Sequence, residues 1–538
     1  MSVTSSHSSR VVSMASGTLV SRLTGLLRVL VLAWVLGFTP LADAFNLANT
    51  VPNMLFDLVL GGIATATFIP VFVERLALDG ERRAWKSISS VINAALVVLF
   101  FASVISWFLA PHIIDGFTFL QRTSSTHSAV STAHQLATIA AQRSVASELL
   151  RWFVPQIFFY GVIGIATALL NIRGRFGVAT WVPVANNLVC IGVLVWFHLV
   201  DPTPVLGALA GSHDLLWLGL GTTLGVAVQF LCLVPPLARS DLWRLSFRLD
   251  LHDAAVKRVA RLGSWTLLVV LANQLSLYVV LAYAFGIGGS GPVSAYTYGW
   301  SFMQMPYAVV VVSVLGALTP QLAGFATDKN YEGLSERLRF GLRQSLVIII
   351  PCTLVLVVLS QPLVAILLNH VNATHKLAVG TVLAILAAGL PGFTVFQLAV
   401  RGLQSMQRAR EVFALYAFEN VLTIVLCVLL GRHSLAGLTA SVSLGYSAAA
   451  IAALVVLARH HVNIITGVWS VHVRRSLWAS LVASVVVAAV YAVPSWTTGV
   501  GLISRFAAAV VVGVLAYGVV VVVLRRRLRR AYAKGARL

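Results

Sequence analysis

The chain has 538 residues, of which 59% are hydrophobic and only 10% are charged, and its mean hydropathy is +0.90. Soluble proteins carry about 25% charged residues, so the composition excludes a soluble domain and predicts an all-α polytopic membrane protein. The net charge of +21 would suggest a nucleic-acid partner in a soluble chain. Here the apolar runs confine most of the cations to loops, and we expect no nucleic-acid partner.

Fourteen apolar segments are long enough to cross a bilayer, which takes about 20 residues of helix. The second and eighth contain Pro52 and Pro306, so we expect kinked or broken helices there, as transporters have beside cavities. The longest outer loop, 112–146, is expected to hold a short amphipathic helix at 133–146. The segments are 11–38, 43–73, 87–111, 147–171, 177–200, 214–237, 257–286, 293–325, 338–360, 375–406, 411–431, 434–458, 475–494 and 500–524.

The distribution of Lys and Arg predicts the orientation of the chain. With a cytoplasmic N-terminus, 30 of the 38 Lys and Arg residues fall on the cytoplasmic side, two lie inside the first span and six fall outside. Cytoplasmic loops carry such an excess, so we predict that both termini are cytoplasmic. The polar N-terminus 1–10 precedes a span without a cleavage site, so we do not expect a removable signal peptide. The basic tail 525–538 is expected to lie on anionic lipid of the inner leaflet.

Two arginines, Arg22 and Arg28, lie inside the first span. A cation at the centre of a membrane helix costs about 2.5–3.5 kcal/mol, which favours a polar cavity as their surroundings. They are about 120° apart around a helix, so they suit a wide cavity better than a narrow stripe. The planar guanidinium fork fits a phosphate or pyrophosphate. As the alternative, one or both arginines snorkel to the cytoplasmic surface from near the start of the helix.

The second span begins with Asp43 and continues with Asn46, Asn49 and Asn53. A negative charge at its outer start suits a helix N-terminus, and a gating role for Asp43 is the alternative. The three asparagines share one helix face that lies against the cavity or against a neighbouring helix. In the first case, Asn53 belongs to the substrate site.

The eleventh span contains Glu419, Asn420 and Thr423, an acid with amide and hydroxyl oxygens within one helical turn. Such a group suits a coupling Na⁺ or a proton relay, and a structural pair with a basic residue is the alternative. The sequence has no Gly-rich phosphate loop with lysine and no His, Cys or carboxylate set at metal spacing. We therefore predict a transporter rather than an enzyme, with no cofactor beyond Na⁺ or H⁺ coupling or the membrane potential.

Several different short motifs follow one another along the first twelve spans. They are Gly17 to Arg28, Ala42-Asp43-Ala44-Phe45 with Pro52-Asn53, Gly61-Gly62-Ile63-Ala64 with Phe68-Ile69-Pro70, Leu170 to Phe176 before Pro183 and Asn187, and Tyr298 with Gln304 and Pro306. These motifs resemble those of the MurJ/MviN lipid II flippases, which belong to the multidrug, oligosaccharidyl-lipid and polysaccharide exporter superfamily. The first seventy residues carry the most specific part of the resemblance.

The resemblance implies a V-shaped bundle of two six-helix lobes around a central cationic cavity, with two further C-terminal helices. The N-lobe would be 11–238 and the C-lobe 239–459, and the last two helices, within 460–524, would form a groove for a lipid tail. The implied substrate is lipid II, the undecaprenyl-pyrophosphate-linked disaccharide-pentapeptide of the bacterial wall, and the implied location is the bacterial plasma membrane. Ser21, Arg22, Arg28 and Asp43 fall on cavity positions of the family.

The chain also departs from the family pattern. Phe56 and Asp57 stand where well-studied members carry cavity arginines, Ser301 replaces a further arginine, and Gln304 replaces a nearby acid. The pyrophosphate would then be held by Arg22 and Arg28, alone or with Arg401. Asp57 could pair with Arg28 as a gate that the substrate must open.

We therefore predict a lipid II flippase that works by alternating access. The membrane potential would contribute about 2.3 kcal/mol per charge per 100 mV toward outward movement of an anionic headgroup. One alternative is a polysaccharide-lipid or drug exporter of the same superfamily, although a cavity for cationic drugs should carry acids instead of arginines. Another is a non-transporting scaffold that recruits wall-synthesis proteins through the basic loops and tail.

Overall fold

The structure is a computed structural model that describes residues 2–58, 72, 80–121, 129–172, 175–239, 246–250, 253–288, 291–432, 434–492 and 500–535. Every regular element within these ranges is a helix, as the composition predicts. By its internal contacts the chain divides into two compact units, Met1–Ser294 and Ala295–Leu538. The lobe limits expected from the sequence stay predictions.

The Met1–Ser294 unit holds ten helices within the described ranges. Lipid offers no hydrogen-bond partner, so an apolar segment that spans it folds as a helix, in which the backbone groups of the interior pair within the segment. The helices are α1 Ser2–Val35, α2 Pro40–Phe56, α3 Gly80–Thr118, α4 Ala129–Phe153, α5 Pro155–Ile172, α6 Phe176–Val200, α7 Leu206–Leu209, α8 His213–Leu231, α9 Val234–Ala238 and α10 Ala254–Gly286.

The next helix, α11, covers Pro292–Pro306 and continues into the Ala295–Leu538 unit. Eight further helices follow in the described part of that unit. They are α12 Val312–Thr327, α13 Tyr331–Leu367, α14 Ala373–Ser405, α15 Ala409–Leu426, α16 Leu435–Arg459, α17 Ile465–Val468, α18 Val471–Ala492 and α19 Val500–Gly535.

Thirteen helical stretches among the described residues are long and apolar enough to cross a membrane. They correspond to every predicted span except the second. That span begins as α2 and then enters residues 59–71, which lie outside the described ranges, as does the motif from Gly61 to Pro70. The predicted polytopic helical fold is therefore confirmed.

The two spans that the sequence predicts to be interrupted, at Pro52 and Pro306, both depart from regular α-helix. Pro52 lies inside α2, and residues 57 and 58, just beyond its end, are π-helical. Pro306 ends α11, and Tyr307–Val311 form a π-helical turn before α12 begins. Proline removes a backbone donor, and an inserted π turn absorbs the mismatch in the hydrogen-bond ladder. These are the two spans in which the sequence predicts an interruption.

The helix expected at 133–146 is not separate from the fourth span. It belongs to α4, which runs from Ala129 to Phe153, and the chain then breaks at Val154 before α5. Pro155 explains the break, because proline fits the first position of a helix but not its interior. The helix of the outer segment therefore continues into the sequence predicted to cross the membrane.

Small residues allow close helix contacts in both units. In the Met1–Ser294 unit, a Cβ at Gly17 of α1 would lie 2.5 Å from Thr180 Oγ1 of α6. In the other unit, Gly389 and Gly392 of α14 pack against Ser443 and Ser447 of α16, where added Cβ atoms would meet the serine Cβ or Oγ atoms at 2.7 Å. Ser443 Oγ also donates to a backbone carbonyl of α14 at 2.9 Å. Packing of small residues is the main source of helix association in membranes.

Candidate functional site

The candidate site residues fall in both units. Ser21, Arg22 and Arg28 lie on α1, Asp43 and Asn53 lie on α2, and Asp57 follows α2, all in the Met1–Ser294 unit. Arg401 lies on α14, and Glu419, Asn420 and Thr423 lie on α15, in the Ala295–Leu538 unit.

The rotation of α1 is set by its contact with α6. Asn187 Nδ2 of α6 donates to Thr24 Oγ1 at 3.1 Å and to the backbone oxygen of Ser21 at 3.3 Å. With this face against α6, the Arg22 side chain is exposed and Arg28 is half-buried. Asn187 therefore helps to fix the rotation of α1, the helix that carries both arginines.

Arg28 lies among neutral polar groups. Its guanidinium interacts electrostatically with Tyr160 of α5 and Cys190 of α6, and Tyr160 is within hydrogen-bonding reach of Asn53. The Tyr160 hydroxyl also donates to Gln156 Oε1 at 3.2 Å. Tyr160 thus links two predicted substrate residues, Arg28 and Asn53. Nothing in the sequence marks Tyr160 as a site residue, because it follows two phenylalanines in an apolar run.

Neither Arg22 nor Arg28 has a carboxylate partner within the described residues. Asp57 does not pair with Arg28 in this structure, and instead it accepts a hydrogen bond from Gln274 Nε2 at 3.3 Å. Phe56, at the other substituted position, packs its ring against Tyr160 with centroids 5.8 Å apart. The two guanidinium groups therefore keep donors available for an anionic ligand.

Asp43 caps the start of a different helix from its own. It is 2% exposed, and its Oδ1 accepts from the backbone nitrogen of Ser294 at 2.8 Å and from Ser294 Oγ at 2.6 Å. Its Oδ2 accepts from the backbone nitrogen of Gly291 at 2.9 Å. A carboxylate at these first amides of α11 satisfies donors that the helix itself leaves open. The sequence suggests the helix-terminus chemistry but assigns it to α2.

Two of the asparagines on the shared face of α2 lie in different environments. Asn46 is buried, and its Nδ2 donates to Ser294 Oγ at 3.0 Å, which extends the Asp43 network. Asn53 is exposed, and its Nδ2 donates to the backbone oxygen of Asn49 at 2.9 Å. Asn46 therefore supports the helix contact, whereas Asn53 lies on the side of Tyr160 and Arg28.

In the second unit, Glu419 is a buried acid that is only partly satisfied. Thr423 Oγ1 donates to Glu419 Oε1 at 3.1 Å, while Glu419 Oε2 is buried and has no hydrogen-bond partner in the described chain. Asn420 Nδ2 donates to the backbone oxygen of Tyr416 at 2.7 Å. A Cβ at Gly445 of α16 would overlap Thr423 Oγ1. The close contact with α16 therefore confines this group.

Aromatic residues surround both Glu419 and Arg401. Tyr296, Tyr416 and Tyr446 interact electrostatically with Glu419. Arg401 interacts with Tyr307 and Tyr416. These tyrosines place hydroxyl groups near an acid and a cation in an otherwise apolar unit. The sequence gives little signal for them, because single tyrosines in apolar runs are typical of packed helices.

A cation at Glu419 would depend on oxygen ligands of mixed type. No group of three His, Cys, Asp or Glu side chains comes together in the part of the chain that the structure describes. At Glu419 the side-chain oxygens that come together are its own carboxylate and the Thr423 hydroxyl. Hard cations such as Na⁺ prefer oxygen ligands of this kind, and a proton on Glu419 would satisfy the same carboxylate.

Comparisons with known proteins identify the family of this arrangement. A family model described as lipid II flippase MurJ matches residues 32–521. A probable lipid II flippase MurJ of Rhizobium meliloti is 27% identical over 402 residues, which cover 73% of this chain and 69% of that protein. The lipid II flippase MurJ of Burkholderia cenocepacia is 27% identical over 440 residues, covering 80% and 79% of the two chains.

Solved structures show the same fold. A lipid II flippase MurJ in an inward closed conformation superposes with a TM-score of 0.74 at 19% identity, covering 96% of this chain and 99% of that chain. An inward-facing multidrug resistance MATE family transporter gives a TM-score of 0.65 at 15% identity, covering 83% and 98%. At these identities the similarity concerns the fold alone.

Proposed function

Because the chain belongs to the MurJ family of lipid II flippases, we propose that it moves lipid II from the inner to the outer leaflet of the bacterial plasma membrane. The substrate is the undecaprenyl-pyrophosphate-linked disaccharide-pentapeptide, and the mechanism is alternating access. The protein acts as a transporter and not as an enzyme, with lipid II and membrane lipids as its partners.

The observation that carries this proposal is the environment of Arg28. Its half-buried guanidinium interacts with the neutral groups of Tyr160 and Cys190 and has no carboxylate partner in the described chain. An isolated cation at membrane depth is costly unless it has a functional anionic partner. A pyrophosphate supplies that partner, and Arg22, exposed on the same helix, supplies a second fork of donors. Ser21 and Asn53 add neutral hydrogen bonds, and Arg401 is a further candidate contact.

Gating in this proposal depends on the cap of α11. Asp43 holds the first turn of that helix through Gly291 and Ser294, so breaking these bonds frees the start of α11. Asp57 is the second gating candidate: in another state of the cycle it exchanges Gln274 for Arg28. A change of partner at one carboxylate is a discrete two-state event, as a gate requires.

Energy coupling in this proposal involves Glu419, Asn420 and Thr423. Na⁺ or H⁺ at the unpartnered Glu419 Oε2 neutralises a buried carboxylate and favours one state of the unit. The membrane potential adds about 2.3 kcal/mol per charge per 100 mV to outward transfer of the anionic headgroup. Replacement of Glu419 by Gln should abolish any dependence of flipping on a Na⁺ or pH gradient while leaving the potential-driven part.

The orientation in this proposal places both termini in the cytoplasm. The excess of Lys and Arg on the side of the N-terminus supports it. Cysteine labelling at exposed positions of the loop 201–212 and of the tail 525–538 tests it. The loop should react with a membrane-impermeant reagent in intact cells, and the tail should react only after lysis.

The experiment that tests the function measures lipid II accessibility in depleted cells. A toxin that cleaves lipid II at the outer face reports headgroups that have been flipped. Depletion should abolish cleavage and accumulate lipid II inside, and the wild-type gene should restore it. Arg28→Ala and the double variant Arg22→Ala/Arg28→Ala should fail, while Arg28→Lys should restore part of the cleavage because it keeps the charge.

The matched control is Arg432→Gln, which removes an exposed cation outside the candidate site. It should restore cleavage fully at the same protein level in the membrane. Normal cleavage by the Arg22/Arg28 double variant would refute the pyrophosphate-binding role. Unchanged cleavage after depletion would point to a redundant flippase or to another lipid-linked substrate of the superfamily.

A further inference from the structure

A cleft of about 580 Å³ opens in the Met1–Ser294 unit between α3 and α4. Its volume lies in the range of about 300–1,000 Å³ that is usual for small-molecule sites. None of its lining residues belongs to the candidate transport site. In the predicted orientation, α3 ends and α4 begins on the outer side of the membrane, so the cleft lies toward the outer leaflet.

Two antiparallel helices line the cleft with residues four apart. Trp107, Pro111 and Asp115 follow one face of α3, while Arg143, Ser147 and Arg151 follow one face of α4. Four residues advance a helix by about 6 Å, so the cleft has three levels over about 12 Å. The first level pairs Asp115 with Arg143, and the last pairs Trp107 with Arg151.

The polar groups at the outer end are already engaged. Arg143 Nη2 donates to the backbone oxygen of Thr118 at 2.8 Å, and its Nη1 lies 3.9 Å from Asp115 Oδ1. Glu148 Oε2 accepts from the backbone nitrogen of Gly211 at 2.8 Å. These contacts fix the walls of the cleft and leave Glu148 Oε1 available.

Arg151 at the deeper end is different. Its side chain is exposed, and it makes no hydrogen bond or ion pair with any described residue. Beside it, Trp107 and Trp152 pack edge to face with ring centroids 5.5 Å apart. A cation that faces the membrane region without a partner is expensive, and an arginine beside tryptophans is typical of the level of lipid headgroups.

We propose that this cleft binds the headgroup of a zwitterionic phospholipid of the phosphoethanolamine type. The phosphodiester accepts hydrogen bonds from the Arg151 guanidinium, and the ammonium lies against the Glu148 carboxylate. Residues three apart on a helix are neighbours, with about 5–6 Å between their Cβ atoms, so Arg151 and Glu148 present opposite charges to adjacent parts of one headgroup. The two acids and two arginines of the cleft cancel, which favours a neutral zwitterion over an anion.

The surface beside the cleft favours a lipid over a soluble phosphate. Val104 and Phe100 of α3 lie three and seven residues before Trp107, on the same helix face and about one and two turns deeper, and they are 36% and 55% exposed. Exposed apolar side chains next to a headgroup site provide a path for acyl chains. A soluble phosphate would gain nothing from them.

The test measures lipid binding by the purified full-length chain in detergent, with native mass spectrometry and short-chain phosphatidylethanolamine as the probe. Arg151→Gln should weaken binding about tenfold, and Arg151→Lys should stay within about threefold of the wild type because it keeps the charge. Arg432→Gln, an exposed cation in the other unit, is the control and should bind as the wild type does. Glu148→Gln keeps the acceptor for Gly211 but loses the charge. It should therefore remove the preference for phosphatidylethanolamine over phosphatidylglycerol.

Four outcomes would overturn the proposal. Binding by Arg151→Gln equal to the wild type, or a loss of equal size in Arg432→Gln, would show that the cleft is not the site. Binding of free phosphoethanolamine as tight as that of the lipid would assign the cleft to a soluble phosphate. An unchanged lipid preference in Glu148→Gln would exclude a zwitterion. The readout is binding and not transport, so it is independent of the flippase proposal.

Discussion

The network of Asp43 gives the sharpest prediction about the fold. Asp43→Asn keeps an oxygen for the two donors of Ser294 but turns an amide group toward the backbone N–H of Gly291. One buried donor is then unsatisfied, which costs about 1–3 kcal/mol, and the interaction of the charge with the α11 dipole is lost, about 0.3–1 kcal/mol. Asp43→Ala leaves all three donors without an acceptor, so we expect about 3–5 kcal/mol.

The assay is unfolding of the purified variants in mixed detergent micelles with increasing sodium dodecyl sulfate, followed by tryptophan fluorescence. The expected order of unfolding free energy is wild type, then Asp43→Asn, then Asp43→Ala. Asp214→Asn is the matched control, because Asp214 is also an acid in the first turn of a helix but makes no side-chain hydrogen bond in the described chain. It should change stability by about 0.3–1 kcal/mol at most.

A transport measurement shows whether Asp43 is a gate or only stabilises the start of α11. If Asp43 is a gate, Asp43→Asn in cells should reduce toxin cleavage of lipid II at protein levels where the control variant supports it fully. Stability of Asp43→Asn and Asp43→Ala within about 0.5 kcal/mol of the wild type would refute the energetic reasoning. Normal flipping by a destabilised Asp43→Asn would instead leave Asp43 with a structural role alone.

Three further predictions concern the Gly445 contact, the Asp57 carboxylate and the basic tail. Gly445→Ala places a methyl group on Thr423 Oγ1, so it should lower the free energy of unfolding by about 1–3 kcal/mol. Adding Thr423→Ala should relieve this cost in the double variant. The control is Gly316→Ala, which should not destabilise because no atom lies within 4 Å of the added Cβ. Thermal unfolding of the two single variants and the double variant measures this effect, and a double variant no more stable than Gly445→Ala would contradict the contact. Asp57→Asn retains an acceptor for its hydrogen bond and should unfold like the wild type; unchanged flipping would argue against the proposed gate. Deletion of 525–538 should leave lipid II cleavage largely intact, whereas a scaffold would fail in the same complementation.

The sequence predicts side-chain contacts and interruptions correctly where they lie within one helix. The four-residue spacing of Glu419 and Thr423 predicts side chains one turn apart, and the structure joins them by a hydrogen bond of 3.1 Å. Pro306 predicts an interruption, and a π-helical turn follows it. Both follow from helix geometry, which depends only on neighbouring positions.

Contacts distant in sequence were not readable in the same way. Asp43 and Ser294 are 251 residues apart, and no periodicity relates them, so the cap was assigned to the helix that carries Asp43. Tyr160 beside Arg28 was missed because apolar neighbours in sequence hide a single hydroxyl. The sequence does not predict the break at Val154, because hydropathy measures apolar length and does not show where a proline begins a new helix.

The serine and glycine contact of α14 with α16 determines how the second unit should come apart. Lipid tails and detergent chains compete well with leucine-like side chains for an apolar helix surface, but they cannot enter where two backbones nearly touch. Gly389 and Gly392 therefore make an attachment that solubilisation does not loosen. In hydrogen exchange or in harsh detergent, these two helices should be the last pair of the unit to separate. The boundary of any rigid body that moves during transport should accordingly not pass between them.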